Sequence, residues 1–128
     1  MSSTESDDAG DAVTRIARVL STSNPTFVTE DDLQRELADV LGIAGWIAHR
    51  EVRLSDGFSR IDLLLVRVGI EVKIDGTWRA VTTQLLRYAR CDEIDHLILV
   101  TTRASHRLVP STLNAKPVTV VVLTGGSL

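Results

Sequence analysis

Three ionisable residues lie inside apolar runs, where such residues are rare. Asp62 is in the run 61–66; Glu71 and Lys73 are in the run 68–74. Short runs rich in Ile, Leu and Val read as strands buried on both faces. An ion buried without a partner costs on the order of several kcal/mol, so all three need company. Side chains alternate along a strand, which puts Glu71 and Lys73 on one face and Ile70, Val72 and Ile74 on the other. Asp62, on the neighbouring strand, can reach the first face. Two carboxylates and an ammonium then meet at one spot. Two carboxylates, with water completing the shell, can hold a hard cation such as Mg²⁺. A cation there can polarise a phosphoryl oxygen and activate a water, and the ammonium can orient that water and offset phosphate charge. The plainer alternative is a structural Glu71–Lys73 pair on an exposed face, with Asp62 at a strand start.

The elements around these residues must position them. Arg67, Val68 and Gly69 are the residues available to turn the chain between the two runs, which predicts a tight hairpin. A strand over 46–54, half exposed and with Glu51 facing water, precedes it through the turn Ser55-Asp56-Gly57. The three strands make an antiparallel meander. A helix over 80–91 follows, with Val81, Leu85 and either Tyr88 or Ala89 inward. Gln84 and Tyr88 are four apart and share a side. Residues 97–100 return as a buried strand, parallel to the Glu71 strand by a right-handed crossover. Pro110 to Leu113 can start a helical turn, and 117–123 is a last, Val-rich strand. Upstream, 11–20 has the spacing of a short amphipathic helix. Thr29 opens a second one, with Asp32 completing a capping box, Val28 and Leu33 a hydrophobic staple, and Leu33, Leu37, Val40 and Leu41 the core stripe. The sum is an α/β domain: a mixed sheet of about five strands with helices on both sides.

Composition narrows the classes. The chain has 128 residues, 44% hydrophobic and only 4% aromatic, enough for one aliphatic core. No apolar run approaches the roughly 20 residues of a membrane helix, and no secretory signal is expected. The single cysteine, Cys91, fits a reducing cytoplasm. Zinc spacings and Gly-rich phosphate loops are absent from the sequence. The net charge of −3 argues against broad non-specific DNA binding. It is uneven, however. Glu5, Asp7, Asp8 and Asp11 lie in a Ser- and Gly-containing stretch, 1–11, expected to be a disordered acidic tail. The domain proper, 12–128, is then close to neutral, and its second half is rich in Arg, a residue suited to phosphate. His49, His96 and His106 are scattered without nucleophile or base partners and carry no assigned chemistry.

Asp62 followed by Glu71-Val72-Lys73 resembles the PD-(D/E)XK nuclease motif on its β-hairpin. Gln84 and Tyr88, in Thr83-Gln84-Leu85-Leu86-Arg87-Tyr88-Ala89, resemble the Gln-x-x-x-Tyr motif of that superfamily's helicase-nuclease branch. The resemblance covers residues 29 to 103 in order. One departure is Ile61, which stands where the family name has Pro. The resemblance implies a restriction-endonuclease-like core and hydrolysis of DNA phosphodiesters dependent on Mg²⁺ or Mn²⁺. Asp62 and Glu71 would hold the metal, with the Val72 carbonyl, and Lys73 would position the attacking water. The family places a Glu on the first core helix. Glu30 falls within the Leu33–Leu37–Leu41 sector at about 100° per residue, though a first-turn acid also suits the helix dipole; Glu36 is the alternative. Gln84 would contact the scissile phosphate or the Lys73 region. Tyr88, Arg87 and Arg90 would serve the nucleic acid. By analogy with small members such as Holliday-junction resolvases, a homodimer is implied. A non-catalytic nucleic-acid- or protein-binding module on the same fold is the alternative function, and a plain interaction domain a third.

Overall fold

The computed structural model describes residues 2–124. Strands β1 (His49–Arg53), β2 (Arg60–Leu65) and β3 (Val68–Lys73) form the expected antiparallel meander. Helix α3 (Trp78–Ala89) then crosses over to β4 (His96–Thr101), which pairs parallel with β3. Strand β6 (Lys116–Val122) lies parallel to β4, and the two-residue β5 (Thr112–Leu113) pairs antiparallel at the far edge. The six-stranded sheet therefore runs β1-β2-β3-β4-β6-β5. Helices α1 (Ser2–Thr22) and α2 (Glu30–Ile43) cover one face. Their Ile16, Leu20, Leu33, Leu37 and Leu41 pack on Ile70, Val72, Ile98 and Val100. Helix α3 covers the other through Val81, Leu85 and Tyr88 on Ile61, Leu97 and Leu99. A mixed sheet flanked on both sides by helices is the expected α/β class.

The central strands are buried on both faces, as their apolar runs required. Helix α2 begins at a complete capping box: Thr29 accepts from the Asp32 N–H, and Asp32 accepts from the Thr29 N–H. Helix α3 begins at Thr77, whose hydroxyl accepts from the Ala80 N–H. Among the described residues, no helix is long and apolar enough to cross a membrane.

Several local expectations change. Helix α1 starts at Ser2 and runs through the stretch expected as an acidic tail; acids near a helix N-terminus favour its dipole, and the apolar spacing that marked only 11–20 misses such turns. The staple is not formed, because Val28 is 84% exposed. The hairpin turns at Val66 and Arg67, both at positive φ, with Arg67 tied to Asp95 at 2.7 Å and to the Asp92 carbonyl. Gly69 lies inside β3 instead, opposite Leu64. A Cβ there would fall 2.4 Å from Ile61 Cδ1 and 2.7 Å from Ile94 Cδ1. The glycine makes room for core packing rather than for a turn. Strand β1 starts at His49 rather than 46. The stretch 110–113 yields strand β5, not a helical turn; the helical turn is an earlier 3-10 segment, Ala104–Leu108.

Candidate active site

The ladder is interrupted where β1 and β2 carry Glu51 and Asp62. Pairs Arg50↔Leu63 and Val52↔Ile61 flank the break, and Glu51 adopts φ 55°. Ile61 consequently joins the α3-side core while Leu63 and Leu65 join the opposite one. The regular pairing of β2 with β3 also ends at Leu63. Side chains fill the gap. Asp62 Oδ2 accepts from the Val72 N–H at 2.8 Å, and Glu71 Oε1 accepts from the Asp62 N–H at 3.4 Å. The backbone groups freed by the break are thus bonded to the two carboxylates.

Lys73 completes the cluster, its Nζ 3.6 Å from Glu71 Oε2. Glu71 and Lys73 do share the α3-side face, with Ile70, Val72 and Ile74 on the other. From α3, Tyr88 places its hydroxyl 3.2 Å from Glu71 Oε2 and 3.2 Å from the Arg60 carbonyl, while Gln84 Nε2 donates to the Tyr88 oxygen at 2.8 Å. Burial pushes the Glu71 carboxyl up to about 8, with the nearby Asp62 charge adding to it; Lys73 and Tyr88 oppose the rise. Burial likewise raises Asp62, against the Val72 N–H and Lys73, and the Glu51 charge adds to the rise. Tyr88 is raised by burial and by both carboxylates.

The remaining candidates fall as follows. Glu30 is half-buried and its Oε2 accepts from the Ile74 N–H at 3.0 Å, reaching the residue after Lys73 from the α2 side. Glu36 is exposed. Among the described residues, no three carboxylate, imidazole or thiol side chains form a cluster that could hold a metal ion. The site engages Val72 through its N–H. Gln84 meets the cluster through Tyr88. Tyr88 is 2% exposed and offers no surface to a nucleic acid; it holds Glu71 instead. Arg87 and Arg90 are exposed. Glu51 is exposed too, yet pairs with Arg60 at 3.2 Å and accepts from Gln34.

Sequence reasoning missed a brace behind Lys73. The Thr102 N–H donates to the Lys73 carbonyl at 3.3 Å, Arg103 Nε to the Ile74 carbonyl at 3.3 Å, and Arg103 Nη2 to Asp75 at 2.7 Å. Buried His106 contacts the Gly76 carbonyl at 2.8 Å through Nε2 and Thr101 Oγ1 at 2.6 Å through Nδ1. Thr101 Oγ1 already accepts the Arg103 N–H at 3.0 Å. The Gly76 carbonyl can only accept, so Nε2 carries the proton given to it, and in that tautomer Nδ1 accepts from the Thr101 hydroxyl. Nothing in the local spacing of His106 signals this role.

Compared with protein-family models, curated proteins and solved structures, the chain matches none.

Proposed function

We propose that this chain is a Mg²⁺- or Mn²⁺-dependent DNA nuclease of the PD-(D/E)XK type, working in the cytoplasm. The observation that carries the reading is the convergence of Asp62, Glu71 and Lys73 where β2 and β3 part. The donor set suits a hard cation: two oxygen ligands of like charge, both raised in pKa, with one ammonium beside Glu71. Asp62 and Glu71 would hold that cation, with the Val72 carbonyl as a further oxygen. What a bound cation supplies is polarisation of a phosphoryl oxygen. The protein's own groups do the rest. Lys73, partly exposed, orients the attacking water and stabilises charge on the phosphate. Tyr88 fixes the Glu71 carboxylate, and Gln84 fixes Tyr88. Glu30 and the His106–Arg103 brace hold the backbone that follows Lys73.

A second reading, a non-catalytic binding module, has one observation in its favour. Among the described residues, every buried polar side-chain atom already has a partner, as a purely structural network would. Metal and cleavage decide between them. Mg²⁺ and Mn²⁺ are titrated into wild type and Asp62→Asn, with linear, single-stranded and branched DNA assayed in parallel. Metal-dependent cleavage lost in the variant is the expected result. No metal binding and no cleavage of any substrate would leave the binding module.

A further inference from the structure

Helix α3 differs in charge from helix α2. From Trp78 to Ala89 it has no acidic residue. Arg79 and Arg87 on it, and Arg90 at its C-cap, make no ion pair among the described residues. Helix α2, on the opposite face, carries Glu30, Asp31, Asp32, Glu36 and Asp39 against a single Arg35. A chain of net charge −3 thus keeps unpaired guanidinium groups on the side of the sheet where Glu71 and Lys73 point.

The arrangement along α3 is ordered. Arg79, Thr83, Arg87 and Arg90 are exposed and form one outer stripe, and Arg87 lies about 60° around the helix from Gln84, whose amide serves the site. The stripe from Arg79 to Arg90 is about 17 Å long. Two of the three arginines, Arg79 and Arg87, are laid on aromatic rings. Arg79 is 4.8 Å from the centroid of Trp78, and Arg87 is 5.7 Å from that of Phe58 in the β1–β2 loop. Phe58 is 65% exposed in a chain with only 4% aromatic residues. Its loop is fixed from within: Asp56 accepts from the Phe58 and Ser59 N–H groups at 3.1 and 2.8 Å. Phe58 is two residues from Arg60, whose carbonyl is bonded to Tyr88.

We infer that α3 and the β1–β2 loop form a track for a single strand of nucleic acid, with phosphates along Arg79, Arg87 and Arg90 and an unstacked base on Phe58. Unpaired guanidinium groups match the phosphate charge. An exposed ring can stack only on a base whose face is free, which a closed duplex does not offer. Arg against the ring adds a cation–π contribution and pre-orders it. A stripe of this length suits a few nucleotides, in the range of small single-strand sites, about four upward. The inference names the substrate form for the proposed nuclease and rests on that reading for the cleavage chemistry, though not for the binding.

Fluorescence anisotropy tests it, with a labelled oligothymidylate of about 15 nucleotides and a blunt duplex of equal length, both in Ca²⁺ and in EDTA. The single strand is expected to bind at least tenfold tighter. Phe58→Ala should weaken it about tenfold. The double variant Arg79→Gln/Arg87→Gln should flatten the salt dependence of log K by about 1.4, whereas Arg35→Gln should bind as wild type. All these side chains are exposed, so circular dichroism and Tm should match wild type. Equal or tighter duplex binding, or unchanged binding by Phe58→Ala, overturns the track. Cleavage assays on the same samples separate the two ideas. Phe58-dependent single-strand binding without cleavage sustains the track and sinks the nuclease. Cleavage that Phe58→Ala leaves intact, with unchanged binding, does the reverse.

Discussion

Tyr88 and Glu71 meet across the junction of α3 and the sheet, the Tyr88 hydroxyl 3.2 Å from Glu71 Oε2 and both residues only 2% exposed. A helix residue thereby fixes a strand carboxylate that has little water to solvate it. The same hydroxyl accepts from Gln84 and lies 3.2 Å from the Arg60 carbonyl. One oxygen thus joins α3 to both strands of the hairpin.

Tyr88→Phe keeps the ring and removes this junction. It leaves the Gln84 amide without its acceptor and the Glu71 oxygen without a donor. A stability loss of about 1–3 kcal/mol is expected from urea unfolding. The Glu71 carboxyl should move above its value of about 8, since the Tyr88 bond lowers it. A variant as stable as wild type would show that the hydroxyl supports nothing.

Glu71 gives stability a pH slope of known sign. Its folded pKa of about 8 lies above the ordinary 4.5. The unfolded chain therefore releases this proton first, and stability falls as pH rises from about 4.5 to about 8, then levels. Raised Asp62 acts in the same direction. Glu71→Gln should remove most of the slope in unfolding curves taken across that window. Mg²⁺ should restore wild-type stability at the alkaline end, and a slope that survives Glu71→Gln would assign it elsewhere.

Lys73→Ala removes the one ammonium of the cluster. Cleavage should fall by about 10²-fold or more, while Mg²⁺ still binds by calorimetry. Full activity would end the role given to Lys73.

Glu30 and Glu36 should behave differently. Glu30→Ala orphans the Ile74 N–H and should cost about 1–2 kcal/mol; Glu36→Ala, on the exposed side, should leave Tm unchanged. Among the glutamine variants only Glu30→Gln should cripple cleavage. Loss of cleavage in Glu36→Gln alone would move the helix carboxylate there.

His106→Ala strips the brace from the backbone after Lys73, leaving the Gly76 carbonyl without its donor and the Thr101 hydroxyl proton without its acceptor. A cost of about 2–4 kcal/mol is expected in chemical unfolding. Amide exchange should quicken first over residues 74–77, and uniform quickening across the sheet would argue against a local brace.

By itself the sequence determined the meander, the crossover helix and the long strands, and which face of β3 each side chain takes, but not β5, the 3-10 segment or the reach of α1. Period-2 alternation put Glu71 and Lys73 opposite Ile70, Val72 and Ile74, and capping chemistry placed the start of α2. These are local facts, written in neighbouring residues. The break at Glu51 and Asp62, the turn at Val66–Arg67 and the packing role of Gly69 were not legible there. Each depends on what a neighbouring strand or helix brings alongside: Ile94 and Ile61 over Gly69, Asp95 under Arg67, the Val72 amide against Asp62. Tyr88 and His106 show the same limit. Spacing could place Tyr88 beside Gln84, but only the crossover of α3 decided that its hydroxyl would face Glu71. His106 lies thirty residues from the Gly76 carbonyl it contacts. Tertiary structure decided these roles because a buried polar group takes its meaning from the partner that replaces water, and those partners are distant in the chain.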